Sequence, residues 1–140
     1  MSKIAIVYWS GTGNTEIMAN KIAEGAKISG NDVTIYRCGD LNAEDVVKFD
    51  IVALGCPSYG VEVLEESEFE PMYERYKPYL KGKKVALFGS YDWGDGTYMV
   101  NWQEDCKNNG LELISEGLLV QNTPDEEGEN KCVEFGKLLV

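Results

Sequence analysis

Six consecutive small and polar residues near the amino terminus have the clearest chemical potential in the chain. They are Ser10, Gly11, Thr12, Gly13, Asn14 and Thr15. An apolar run precedes them and a segment of helical periodicity follows, so they are predicted to form a strand-to-helix turn. Hydroxyl groups and the first N–H groups of a helix both donate hydrogen bonds, and the helix dipole favours negative charge there. The loop therefore predicts an anion site.

The composition of this loop restricts the kind of anion. It contains no Lys or Arg, whereas a Walker loop requires Gly-Lys-Ser/Thr and a dinucleotide fingerprint requires Gly-x-Gly-x-x-Gly. Three hydroxyls and two glycines suit a terminal monophosphate better than a pyrophosphate, or a triphosphate with magnesium. The competing interpretation is a plain turn in which Ser10 or Thr12 caps the helix. The position of all six residues favours the phosphate site.

The elements that must position this loop alternate between strand and helix along the whole chain. Apolar runs predict strands at 3–9, 32–37, 50–55, 83–90 and 111–121, the last open to interruption near Gly117. Helical spacing predicts helices at 14–29, 43–48, 68–80 and 97–109, and a last one from 124 or 125 to the carboxyl terminus. This order predicts an α/β fold, a doubly wound five-stranded parallel sheet of order 2-1-3-4-5 with helices on both faces.

Such a fold specifies where a ligand binds. Ligands lie beyond the carboxyl ends of the strands, where the winding of the sheet reverses. This rule brings together three loops, at 10–15, 56–66 and 90–97. The length of 140 residues suits one compact domain. We therefore expect residues 1–140 to form a single domain around one site.

The charge of the chain bears on its partners and its location. Asp and Glu number 24 against 13 Lys and Arg, which gives a net charge of −11. This charge disfavours binding to nucleic acid or anionic membranes. It is equally consistent with simple solubility and with steering toward basic partner proteins. No apolar run approaches the ~18 residues of a membrane span, and no signal peptide is predicted, so we expect a cytoplasmic protein. We also expect a monomer.

Histidine and cysteine usage excludes several kinds of enzyme. Histidine is absent, which removes Ser-His-Asp and Cys-His nucleophile systems and the usual zinc sites. The four cysteines, Cys38, Cys56, Cys106 and Cys132, form no C-x-x-C motif. Free buried thiols are expected, with a disulfide or metal set as the alternative. Redox or proton chemistry would therefore depend on a bound cofactor, and no catalytic or metal-ligating residues are assigned.

Three motifs, in order along the chain, resemble one protein family. Residues 7–16 look like the phosphate loop of flavodoxins, and residues 54–60 and 88–96 resemble the two flavin loops of that family. Residues 64–71 and 120–126 are similar to the short-chain flavodoxins of anaerobic bacteria. The resemblance covers nearly the whole chain. It implies a soluble, low-potential electron carrier, not an enzyme, with non-covalent FMN cycling between semiquinone and hydroquinone.

The resemblance also assigns cofactor-binding residues in all three loops. Residues 10–15 would hold the 5′-phosphate, and the other two loops would bracket the flavin ring. The assigned residues of those two loops are Pro57, Ser58, Tyr59, Gly60, Glu62, Ser90, Tyr91, Asp92, Trp93 and Gly94. Redox partner proteins with basic docking surfaces are implied.

Individual roles follow for four of these residues. Tyr59 and Trp93 would cover the flat flavin ring with aromatic surface. Gly60 permits the Tyr59–Gly60 peptide to turn over at small steric cost, and in flavodoxins this flip presents a carbonyl to the flavin N5–H. Glu62 would accept a hydrogen bond from the flavin N3–H.

Four positions depart from the common pattern of the family. Relatives often have methionine at Tyr59, a hydroxyl residue at Pro57 and a small or acidic residue at Val61, and they commonly have glycine at Asp92. The fully reduced flavin is anionic, so nearby carboxylates raise its energy. Asp92 and its acidic neighbours therefore predict a low potential for the second reduction.

Two other functions share this fold. A flavin-dependent quinone or NADPH reductase usually needs longer loops for a second substrate, and little chain is spare here. A signalling receiver domain needs acids after its first strand, an Asp after its third and a Lys after its fifth. Here those positions read Trp9-Ser10, Gly55-Cys56 and Gln121-Asn122, which excludes a receiver.

Overall fold

The computed structural model describes residues 2–60, 63–92 and 94–139, so the predictions for Val61, Glu62 and Trp93 lie outside the described residues. The six strands are β1 (Lys3–Tyr8), β2 (Asp32–Arg37), β3 (Ile51–Gly55), β4 (Lys84–Tyr91), β5 (Glu112–Leu113) and β6 (Leu118–Gln121). The helices are α1 (Asn14–Ile28), α2 (Phe69–Leu80), α3 (Thr97–Asn108) and α4 (Glu126–Lys137), with a 3₁₀ helix at Ala43–Lys48.

The strands form one parallel sheet in the order β2-β1-β3-β4, and both β5 and β6 pair with β4. The predicted 2-1-3-4-5 order is therefore confirmed. The fifth strand is divided, as allowed for near Gly117: its first part ends at Leu113 and its second begins at Leu118. Residues 43–48 form a 3₁₀ helix, since so short a segment gains little from α-helical propagation.

Two hydrophobic cores cover the two faces of the sheet. Along β1, Ile4 and Ile6 face one core, whereas Ala5 and Val7 face the other, as the two-residue period of a strand requires. The first core lies under α1 and α4, and the second under α2 and α3. Because the central strands are buried on both faces, the edge at their carboxyl ends is left for a ligand.

Helices α1 and α4 pack backbone to backbone. A Cβ added at Gly25 would lie 1.9 Å from the carbonyl oxygen of Val133, and one added at Gly136 would lie 2.0 Å from that of Ile22. Only glycine permits this approach. The packing fixes the axis of α1 and, with it, the loop that precedes this helix.

The described part of the chain contains no helix long and apolar enough to cross a bilayer.

Candidate cofactor site

Three loops meet at the carboxyl edge of the sheet, as predicted, and enclose a cleft of about 200 Å³. The residues that line it are Trp9, Gly11, Thr12, Asn14, Pro57, Ser58, Tyr59, Gly60, Ser90, Tyr91 and Asp92. Apart from Trp9, all of these were predicted as site residues. Ser10, Gly13, Thr15 and Gly94 belong to the same loops but do not line the cleft in the described residues.

Residues 10–15, which the sequence predicts to be the phosphate loop, place the start of α1 at the cleft. Gly13 is the N-cap residue, in a left-handed conformation with φ 97°, and no side chain caps this helix. Ser10 Oγ instead accepts a hydrogen bond from the N–H of Gly13 at 3.0 Å, which closes the loop on itself. The alternative in which Ser10 or Thr12 caps the helix is therefore wrong. Without a side-chain cap, the first-turn N–H groups of α1 suit an anion.

Buried hydroxyls connect the phosphate loop to the other two loops. The Oγ1 of Thr15 and the Oγ of Ser90 lie 3.2 Å apart, and both residues are buried. The backbone oxygen of Ser90 also accepts from the N–H of Ser58 at 2.9 Å. Ser90, near the end of β4, thus contacts both the loop that follows β1 and the loop that follows β3.

One wall of the cleft is aromatic. The rings of Trp9 and Tyr59 meet edge to face, with centroids 5.7 Å apart and planes at 86°. The Nε1 of Trp9 donates to Glu68 Oε1 at 3.2 Å. Tyr59 remains 48% exposed, so its ring has an open face. Trp9 was missed as a site residue, although its position between a buried strand and the phosphate loop was an available signal.

The backbone around Gly60 forms a tight antiparallel bridge. The N–H of Tyr59 donates to the carbonyl oxygen of Val63 at 2.8 Å, and the N–H of Val63 donates to that of Tyr59 at 3.1 Å. Gly60 has φ 55°, in the left-handed region. The carbonyl that the flavodoxin resemblance assigns to a peptide flip is therefore already an acceptor within the protein.

A buried carboxylate anchors the far end of the same loop. Glu65 is only 4% exposed, and its carboxylate accepts from the N–H groups of Ser67, Glu68 and Phe69 at 2.7–2.9 Å. Burial alone would raise the pKa of Glu65, but the three N–H donors outweigh it and lower the pKa. Glu65 therefore caps α2.

A side chain of β6 makes a hydrogen bond to the loop that follows β4. The side-chain amide of Gln121 donates to the backbone oxygen of Asp92 at 3.2 Å, while the carboxylate of Asp92 is on an exposed residue. Asp95 accepts from the hydroxyl and the N–H of Thr97 at the start of α3, and these bonds lower its pKa. Asp92 thus lines the cleft as an exposed residue, whereas the carboxylate of Asp95 bonds to Thr97 at the start of α3.

A model of the flavodoxin family matches residues 6–136 of the chain. The chain belongs to the flavodoxin family. It is 52% identical to the flavodoxin of Clostridium beijerinckii over 132 residues, which covers 94% of this chain and 95% of that protein. Identity to the Megasphaera elsdenii flavodoxin is 46% over 134 residues, with 96% of each chain covered. The solution structure of that protein in its two-electron-reduced form superposes with a TM-score of 0.87 over 96% of each chain.

Family membership settles the cofactor and the class of activity. Flavodoxins use FMN, and they are electron-transfer proteins rather than enzymes. The resemblance carried by the three loop motifs is therefore confirmed at the level of the family.

The cysteines of this flavodoxin are free thiols. Cys56, Cys106 and Cys132 are buried, and Cys38 is partly buried. Burial raises the pKa of Cys38 to about 11 and that of Cys132 to about 12, and it raises the pKa of Cys56 still further. They are protonated near neutral pH, so they do not act as thiolate nucleophiles.

Proposed function

We propose that this protein carries single electrons between redox partner proteins, with FMN held in the cleft at the carboxyl edge of the sheet. When bound, FMN supplies a group that accepts and releases electrons one at a time, and we propose a working cycle between its one-electron-reduced and fully reduced forms at low potential. The observation that carries the proposal is the start of α1, where a left-handed glycine stands as N-cap and no side chain makes a capping hydrogen bond.

Residues 10–15 are proposed to bind the phosphate of FMN. Backbone N–H groups of the first turn of α1, together with hydroxyls of the loop, match the oxygens of a terminal phosphate. Because the loop has no Lys or Arg, the helix dipole and these neutral donors must balance the charge. Ser10 stabilises this loop conformation, because its Oγ accepts a hydrogen bond from the N–H of Gly13.

The other two loops are proposed to hold the flavin ring. Pro57, Ser58, Tyr59 and Gly60 line one side of the cleft, and Ser90, Tyr91 and Asp92 line the other. Glu62, Trp93 and Gly94 are retained as proposed ring contacts from the family resemblance. Tyr59 on this cleft is 48% exposed, which supports a bound ring that stays accessible to a partner for electron exchange.

A peptide flip at Tyr59–Gly60 is also proposed, and here it has a specific cost. The Tyr59 carbonyl must give up its hydrogen bond from the N–H of Val63 before it can turn toward the ring. Such a bond contributes about 0.5–1.5 kcal/mol. The bond therefore favours the conformation described here until a new donor appears at the ring.

The partners are proposed to be proteins with basic docking surfaces. A net charge of −11 supports electrostatic steering of such partners. The chain is proposed to act as a single-domain monomer. Electron transfer to a positively charged c-type cytochrome should then slow as salt is added, whereas transfer to a neutral small-molecule oxidant should not.

The test is a titration of the cofactor-free chain with FMN and with riboflavin, followed by flavin fluorescence. One FMN should bind per chain, and riboflavin, which lacks the phosphate, should bind much more weakly. Gly13→Ala introduces a strained left-handed alanine and should weaken FMN binding more than riboflavin binding. Gly39→Ala, another left-handed glycine with no neighbouring atom within 4 Å of the new Cβ, is the control. Equal affinity for FMN and riboflavin would contradict the proposed phosphate site.

A further inference from the structure

Residues 121–123, at the end of β6 and just beyond it, contact two of the loops that form the cleft. The hydroxyl of Thr123 donates to Asn14 Oδ1 at 3.0 Å. The side-chain amide of Gln121 donates to the backbone oxygen of Asp92 at 3.2 Å. This segment was not assigned a role at the cofactor site, yet it reaches both the phosphate loop and the loop after β4.

The segment is fixed to the sheet. The N–H of Asn122 donates to the backbone oxygen of Tyr91 at 2.7 Å. Asn122 has φ 59°, and it is the one non-glycine residue with a positive φ in the described part of the chain. Asparagine tolerates this left-handed conformation better than most residues. Thr123 is therefore presented from a defined turn at the end of β6.

The contact with Thr123 uses the oxygen end of the Asn14 amide. An asparagine side chain has an acceptor oxygen and a donor NH₂ group on opposite sides of one planar amide. With Oδ1 engaged by Thr123, the NH₂ group of Asn14 is left as a donor. Asn14 is the first residue of α1 and lines the cleft. If the Asn14 amide were reversed, its acceptor oxygen would face the anion proposed to bind at residues 10–15 and would repel that anion.

We propose that Thr123 is a positioning residue for the phosphate end of the cofactor site. It orients the side-chain amide of Asn14 so that this amide donates a hydrogen bond to the phosphate of FMN. The inference rests on the proposed function, because it takes residues 10–15 as the phosphate loop. Thr123 itself does not contact the cofactor in this account.

The central experiment compares FMN and riboflavin binding by the full-length chain carrying Thr123→Val. The substitution removes the hydroxyl and keeps the branched shape. Loss of the hydrogen bond that orients the Asn14 amide predicts a dissociation constant for FMN about three- to tenfold higher. The dissociation constant for riboflavin should be unchanged. A purely structural role of Thr123 would weaken both ligands equally, and that result would overturn the proposal, as would an unchanged affinity for FMN.

Four further variants complete the test: Thr123→Ser, Asn14→Ala, the double variant Asn14→Ala/Thr123→Val, and Thr34→Val. Thr123→Ser restores a hydroxyl and should recover most of the FMN affinity. In an Asn14→Ala background, Thr123→Val should have no further effect on FMN binding, because the amide it orients is gone; an additive loss would overturn the proposal. Thr34→Val, the same change at an exposed position on β2, is the matched control and should bind FMN like the original chain.

The binding measurements distinguish a failure of the proposed phosphate site from a failure of the proposed role of Thr123. If the original chain binds no FMN, or binds FMN and riboflavin alike, the proposed phosphate site itself is wrong. If the original chain prefers FMN strongly but Thr123→Val retains that full preference, only the positioning role of Thr123 is wrong.

Discussion

At the scale of single residues, acidic side chains that look equivalent in the sequence have different physical roles. Glu65 is buried and bonded to three N–H groups, whereas Asp92 is an exposed residue that lines the cleft. Glu65 stabilises the folded state because its carboxylate caps the start of α2. We propose that the carboxylate of Asp92 acts on bound FMN through its electric field.

Glu65→Gln should destabilise the protein in a pH-dependent way. The folded-state pKa of Glu65 is lowered, so its contribution is fully present above the unfolded pKa of about 4.3 and is lost as the pH falls through the folded pKa. The free energy of unfolding should drop by about 1.5–3 kcal/mol at pH 7. Urea unfolding at pH 7 and at pH 3.5 measures this.

The difference in the free energy of unfolding between the original chain and Glu65→Gln should be smaller at pH 3.5 than at pH 7. Glu66→Gln changes the neighbouring, exposed carboxylate and should have little effect at either pH. A deficit for Glu65→Gln that is the same at both pH values would show that the ionised carboxylate is not what stabilises the cap.

Asp92→Asn should raise the potential of the second reduction, because it removes a charge beside an anionic product without changing the size of the side chain. Exposed charge interactions amount to about 0.2–1 kcal/mol, which corresponds to roughly 10–40 mV for one electron. Spectroelectrochemical titration of the FMN-loaded protein measures the shift. The shift should shrink as salt is added.

The control for Asp92 is Glu112→Gln. Glu112 is exposed, and its backbone lies beside that of Lys84 at the amino end of β4. The cleft is at the carboxyl end of this strand, so the charge of Glu112 is far from it. If both variants shift the potential equally, the net charge of the molecule, and not the position of Asp92, controls the potential.

At the scale of elements, the close approach of α1 and α4 holds the phosphate loop in place. Glycine to alanine within a helix ordinarily stabilises by about 0.5–1 kcal/mol. Gly25→Ala should do the opposite, because its Cβ would lie 1.9 Å from the Val133 carbonyl oxygen and force the helices apart. We expect a loss of about 1–3 kcal/mol in the free energy of unfolding, measured by urea titration.

Asn20→Ala is the control for this helix. Asn20 is exposed on α1, and alanine is the better helix former, so this variant should be as stable as the original chain or more so. If Gly25→Ala were also stabilising, the two helices would not be packed as closely as described.

The elements themselves were largely predictable from the sequence, and the contacts between their loops were not. Buried apolar runs located β1, β3 and β4 within a residue or two, since strands covered on both faces have no polar alternation. The bonds from Glu65 to the start of α2 and from Thr123 to Asn14 depend on how irregular segments fold back. Asn14 and Thr123 are 109 residues apart, and no local pattern connects them.

At the scale of the whole molecule, the sheet order explains why three distant loops form one site. Parallel pairing of β1, β3 and β4 places all their carboxyl ends at one edge. The loop composition then selects the ligand. A glycine-capped helix start without basic residues suits a phosphate, and the aromatic wall at Trp9 and Tyr59 suits a flat ring.

The most direct test of the account is stepwise reduction of the FMN-loaded protein without oxygen, followed by visible absorption and electron paramagnetic resonance. A single-electron carrier predicts two separate steps, with a radical signal that is greatest near half reduction and an absorption spectrum distinct from both end states. Passage from oxidised to fully reduced protein in one two-electron step, with no radical at half reduction, would contradict the proposed function.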